Sequence, residues 1–292
     1  MEYYVLLAVS VVLAVLKSTV YNAYAKRTKP TLLATFGFNA MTYGVAAVIS
    51  LSVLIFSDKM LSVPTVLCAI LYAVIVFSLQ TVSITAMKVG AMSLTAISVM
   101  YGMIIPALAG PIFWKEPFGM LQAAGILMMS ASLWLLRERS GQRQGGASKK
   151  WIVLAAIAFV LSGMAGVMEK IHQSTEAKDE KAMFVFVACL CMLSFSVVAT
   201  LLSHRKEGRA VNKEALLVLG AFSGMIVGFY SIVNLTLAGA LDSMIYYPVA
   251  NGGAMLLTVV VSFAVFKERL TPYKIVGAVV GLCGIVCLSI PI

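Results

Sequence analysis

Residues 3–24 read YYVLLAVSVVLAVLKSTVYNAY, and this stretch decides the fold. It matches the length of about 20 apolar residues that an α-helix needs to cross the hydrocarbon of a bilayer. It is too long for a barrel strand and lacks the polar and apolar alternation of one. In lipid a backbone must satisfy its own hydrogen bonds, so a helix is what remains. One lysine, Lys17, interrupts the block. Outward from it, nine further blocks of the same kind occupy 30–57, 63–88, 91–114, 117–136, 151–172, 182–203, 215–240, 243–266 and 273–290. The chain is 61% hydrophobic and 12% charged, with mean hydropathy +0.98. No water-soluble core hides that much apolar surface. The reading is an all-α integral membrane protein of ten transmembrane helices.

The first block is read as a structural helix and not a leader, because Lys17 lies inside it and no small-residue cleavage pattern comes before Lys26 and Arg27. The five cysteines (Cys68, Cys189, Cys191, Cys283, Cys287) fall within predicted spans at spacings that match no zinc or haem pattern, so they read as small packing residues. No Walker or dinucleotide motif is present, and no cofactor or metal is expected.

The polar connection 138–150, rich in Gly, Ser, Gln and basic residues, divides the ten blocks into five and five, 1–137 and 151–292. A shift of 152 positions lays Trp114-Lys115-Glu116 on Phe266-Lys267-Glu268 and Gly125 on Gly277. Without a gap, the same shift pairs Ser10 with Ser162, Val15 with Val167, Ala86 with Ala238 and Met103 with Met255. One offset serving both ends of a half points to duplication. A unit with an odd number of spans ends on the side opposite its start, so the second copy is inverted. Loops after odd-numbered blocks hold sixteen lysines and arginines against five after even-numbered ones, which with Lys17 make 22. The odd side is therefore expected to be cytoplasmic, the linker included, with both termini outside a plasma (inner) membrane, bacterial in type. The net charge of +10 is explained by those loops and needs no nucleic-acid partner.

Ten spans in an inverted duplication, with an aromatic-Lys-Glu turn and a glycine-bearing helix closing each half, resemble the EamA-type permeases of the drug/metabolite transporter superfamily. The resemblance covers essentially the whole chain. The first copy departs from the commoner pattern by placing Pro117 directly after Glu116, whereas the second continues Arg269-Leu270-Thr271. The resemblance implies that helices one, three and four of each half surround a central cavity, that the fifth helices pack outside, and that access alternates without ATP. It implies no particular substrate.

Two ionisable residues stand out within the spans, one deep in the first and one towards the end of the sixth, and a charge at mid-membrane costs roughly 2.5–3.5 kcal/mol on insertion scales. They are Lys17 and Glu169, and the 152-residue offset makes them the same position in the two halves. As a site, Lys17 would meet an anionic group of a substrate and Glu169 a cationic group or a coupling proton or cation. As scaffold, they form a buried ion pair, or Glu169 snorkels to the even-side surface near Lys170 and His172, both of which read as interfacial. Helical spacing adds polar residues on the helices assigned to the cavity: Tyr21 after Lys17, Gln80 with Ser83, Tyr101, Tyr230 with Asn234, and Tyr247 with Asn251. Asn39 and Tyr43 form a similar pair on the more peripheral second helix. Each such residue taken singly also reads as interhelical hydrogen-bond glue. Pro106 and Pro248 are candidate hinges or static kinks, and Gly277, Gly281 and Gly284 are read as close-packing positions.

The expected function is a secondary transporter of a small polar metabolite, an amino-acid-like zwitterion being the first guess, working as a monomer or homodimer. A flippase for lipid or lipid-linked substrates and a multidrug or organic-cation exporter are the alternatives. An intramembrane enzyme ranks last, since the only histidines, His172 and His204, sit near block ends.

Overall fold

The computed structural model describes residues 2–28, 31–55, 61–89, 92–136, 149–207, 213–264 and 272–290. Among them are eleven helices: α1 Glu2–Arg27, α2 Leu32–Ile55, α3 Val63–Val89, α4 Met92–Tyr101, α5 Ile104–Trp114, α6 Met120–Leu136, α7 Lys149–Gln173, α8 Lys181–Glu207, α9 Lys213–Ala240, α10 Ser243–Ala264 and α11 Pro272–Ser289. No strand is found among the described residues. Among the described residues, each of the ten apolar blocks carries helix, the fourth in two pieces. The second aromatic-Lys-Glu copy, Phe266-Lys267-Glu268, lies outside the described residues, as does the linker apart from Lys149 and Lys150, which open α7.

Six helical stretches are long and apolar enough to cross a membrane: Glu2–Tyr21, Leu32–Ile55, Val63–Ala86, Lys149–Gln173, Lys181–Ser203 and Lys213–Ala240. Ser98–Trp114, Met120–Ser132 and Ile275–Leu288 are apolar but shorter. Large side chains such as Val48, Ile112, Leu127, Leu201, Val218 and Leu282 are exposed. That much apolar surface suits a lipid surrounding and not water.

The fourth block departs from the expected continuous helix: it divides into α4 and α5 at Gly102 and Met103. Pro106 has no N–H to give to the Gly102 carbonyl, so Ile105 N takes that carbonyl at 3.0 Å in a tighter turn. Gly102 N and Met103 N likewise bond Val99 O and Met100 O at 3.1 and 3.2 Å. Ser162 of α7 adds a hydroxyl to the Val99 carbonyl at 2.8 Å. Close approach there depends on glycine, since a Cβ on Gly102 would lie 2.6 Å from Ser162 Cβ and one on Gly163 2.5 Å from Ile105 Cβ. Pro248, by contrast, sits within an unbroken α10.

The chain forms two compact units, each drawing on both halves of the sequence: one of Met1–Val12, Ser78–Lys170 and Ala240–Ile292, the other of Leu13–Phe77 and Ile171–Gly239. In the first, α6 packs on α11. Ser132 Oγ donates to Gly277 O at 2.7 Å, and a Cβ on Gly281 would lie 2.5 Å from Ser132 Oγ and one on Gly284 3.1 Å from Gly125 O, so Gly281 and Gly284 serve the close packing expected of them. In the second, α2 packs on α8 through Ala46, Ala47, Ala188 and Met192, with Phe77 bridging Phe36 and Phe195.

Candidate functional site

Lys17 belongs to the second unit, with α2 and α9. Its ammonium lies 4.2 Å from the centroid of the Tyr230 ring on α9. Among the described residues it has no carboxylate partner. One turn along α1, the Tyr21 hydroxyl donates to Asn39 Oδ1 at 3.2 Å, and the Tyr43 side chain is a further partner. The Tyr21 ring meets Phe38 edge-on at 5.0 Å, and Phe38 stacks on Tyr24 at 4.2 Å. Asn234 follows Tyr230 by one turn and is buried. A cation–π contact gives about 2 kcal/mol when desolvated, less than the roughly 2.5–3.5 kcal/mol that an intramembrane lysine costs. The ring holds the ammonium without fully compensating it.

This unit thus carries Lys17, Tyr21, Tyr230 and Asn234 of the predicted set. Asn39, ranked low from the sequence, supplies Tyr21 with its acceptor. Its spacing with Tyr43 was visible; that α2 packs beside α1 was not.

The first unit carries the other predicted residues. The Tyr247 hydroxyl donates to Gly166 O and the Tyr101 hydroxyl to Ser130 O, both at 2.5 Å. Asn251 Nδ2 donates to Tyr247 O at 2.9 Å. Both phenol protons are therefore committed to backbone carbonyls, the interhelical bonding role that the sequence left open. Pro106 closes on the same place: a Cβ on Gly166 would lie 2.8 Å from Tyr247 Cε1 and 3.0 Å from Pro106 Cγ. Glu169, half-buried, lies near enough to the Tyr247 phenol to act on it electrostatically. Gln80 and Ser83 are half-buried on α3, and Ser83 Oγ is buried with no hydrogen-bond partner among the described residues.

Two ionic clusters went unread in the sequence. The first gives the Trp114-Lys115-Glu116 turn a physical role. Lys115 ends α5 in the left-handed region, φ 54° and ψ 33°, which turns Glu116 back toward the bundle. Gly110 leaves room for that carboxylate, because a Cβ there would collide with Glu116 Oε2. Glu116 Oε2 accepts Ser243 N at 2.7 Å, and Oε1 accepts Ser243 Oγ at 3.1 Å, so the carboxylate caps α10. Oε1 also meets Lys170 Nζ at 2.7 Å, with the Lys170 side chain 11% and the Glu116 side chain 7% exposed, and Lys170 donates on to Leu241 O at 3.2 Å. Burial, aided by Glu116 and opposed by Lys170, pushes the neighbouring Asp242 carboxyl above its usual range.

The second cluster caps α3. Glu180 Oε2 accepts Ser62 N at 3.0 Å and Ser62 Oγ at 2.8 Å. Thr65 Oγ1 lies 3.1 Å from His172 Nε2, and His172 Nδ1 lies 3.0 Å from Gln173 Nε2, which also donates to Lys178 O at 3.2 Å. Burial works against ionisation of Glu180. The Thr65 hydroxyl, the Ser62 amide and hydroxyl, and His172 outweigh it and hold the carboxyl below the usual range. Lys170 and His172, expected near the membrane interface, lie in the last turn of α7 and are both buried within the protein, where Glu116 and the Thr65–Gln173 pair provide partners. Among the described residues no group of three or more His, Cys, Asp or Glu is placed to hold a metal ion.

No family model matches the chain, and no curated protein matches it in sequence. Among solved structures, 29 chains match. One, described only as "Crystal structure of protein", is 12% identical and superposes with TM-score 0.80 over 99% of this chain and 96% of its own. At that identity the likeness is one of fold alone, and it extends over the whole length.

Proposed function

We propose that the chain is a ten-span membrane protein of two inverted five-helix repeats, resembling the EamA-type permeases, that moves a small polar solute by alternating access without ATP. It sits in the plasma (inner) membrane with its basic linker cytoplasmic and both termini outside. The observation that carries the reading is Lys17, a lysine within a membrane-length apolar helix whose ammonium meets an aromatic face and, among the described residues, no carboxylate. A charge in that setting needs a counter-charge that the described protein does not provide, and an anionic group on a transported solute supplies one. Asn39, Tyr43 and Asn234 add neutral polar groups in the same unit, which suits a polar metabolite of the amino-acid type. Proton or cation coupling would fall to Glu169.

Substrate-dependent flux in proteoliposomes, scanned over amino acids, amines and organic acids, tests this. Flux that is lost in Lys17→Ala supports it, and unchanged flux in that variant removes Lys17 from the site. The Tyr230 face, already engaged by an ammonium, favours a second reading, export of organic cations. Flux of amines with none of amino acids would select it.

A further inference from the structure

The contact between Lys17 and Tyr230 has a consequence for substrate charge. An ammonium on an aromatic face is held more weakly than one hydrogen-bonded to a carboxylate. A solute carboxylate therefore outcompetes the ring for Lys17, and the ring face becomes open to a second cation. We infer that Tyr230 is the ammonium subsite of the carrier, that Lys17 and the solute's ammonium compete for its face, and that the preferred solute is a zwitterion whose carboxylate draws Lys17 away as its ammonium takes the ring. This rests on the transporter reading and deepens it, by assigning the cationic end of the solute to Tyr230 where the sequence suggested Glu169.

The swap ranks ligands by charge. A zwitterion leaves both protein groups engaged, Lys17 with a carboxylate and Tyr230 with an ammonium. A simple anion engages Lys17 and leaves the ring without a cation, so it binds more weakly. A simple cation must evict Lys17 and leave its charge unpaired inside the protein, so it binds worst. Asn234, one turn from Tyr230, and the pair of Tyr21 and Asn39, one turn from Lys17, are neutral and do not alter that order.

Four probes of nearly one size separate the cases: 2-aminobutanoate, 4-aminobutanoate, butanoate and butylammonium, read by thermal shift of the purified full chain. Wild-type protein should be stabilised most by one of the aminobutanoates, less by butanoate and least by butylammonium. In Lys17→Met, or Lys17→Gln if the former folds poorly, the order should invert, with apparent affinity for butylammonium rising about tenfold, the equivalent of one ring contact released. Tyr230→Leu should remove the advantage of zwitterion over anion, and Tyr230→Phe should keep it. The swap is overturned if Lys17→Met weakens butylammonium, or if Tyr230→Leu weakens anion and zwitterion alike. If none of the four shifts the wild type, the assignment to amino-acid-like solutes fails; flux of another solute that still requires Lys17 would leave the transporter reading standing.

Discussion

Lys17 and Lys170 invite comparison, since both are lysines within long apolar helices and their surroundings could hardly differ more. Lys170 has a carboxylate at 2.7 Å and a backbone carbonyl at 3.2 Å, and the carboxylate is itself anchored to the first residue of α10. Lys17 has the face of a tyrosine. The first charge is compensated from within the protein and serves architecture. The second is left with a demand that a ligand can meet. An ionisable residue in a span is therefore better judged by what neutralises it than by its depth along the helix.

The largest effect should come from breaking the compensated pair. Glu116→Leu leaves Lys170 charged and buried, and stability should fall by about 3–5 kcal/mol in thermal or denaturant unfolding. Glu116→Leu combined with Lys170→Met should recover most of that loss, because an apolar pair removes the orphaned charge. If the single variant melts like the wild type, the pair is not buried in the membrane-embedded protein. Next comes the seat of the helix that bears Lys170. Gly163→Ala places a methyl 2.5 Å from Ile105 Cβ and 2.8 Å from the Gly102 carbonyl, with a loss of about 1–3 kcal/mol expected in the same assay.

Lys17→Met should act in the opposite sense. It removes a charge that among the described residues meets a ring and no carboxylate, so stability should rise by about 1 kcal/mol, the insertion cost less the cation–π contact, while Lys17-dependent flux is lost. A destabilised Lys17→Met would mean that Lys17 is as structural as Lys170. The smallest effect concerns pH. Glu180 has a folded value below the ordinary glutamate value of about 4.3, so its contribution is complete at neutral pH. That contribution begins to be lost as pH falls past the ordinary value and is gone below the lowered one. Melting temperature measured between pH 7 and pH 3 should therefore fall less steeply for Glu180→Gln than for the wild type.

Much of the fold was legible from the apolar blocks, and among the described residues each of the ten carries helix. Legibility ended where a local rule met a distant partner. Pro106 signalled a bend, but whether the helix would break or merely curve depended on Gly102 and on the Ser162 hydroxyl that bonds the loosened turn. Tyr101, Tyr247 and Tyr230 looked alike as polar aromatics on cavity helices. Two proved to bond backbone carbonyls and one to face a lysine. Glu116 was visible as part of a repeated motif, yet its work on Ser243 joins residues 127 positions apart.

What the sequence determined by itself was the helical class and the positions of the helices, because in a lipid setting the backbone must bond internally and a run of apolar side chains is sufficient to require it. It also singled out Lys17 and Glu169, since a charge among such residues stands out on cost alone. Only the tertiary structure decided which charges were answered. Counter-charges and hydrogen-bond acceptors reach Lys170, His172 and Tyr247 from helices or loops brought close by packing, and the desolvation that makes a buried charge costly also makes its partner decisive.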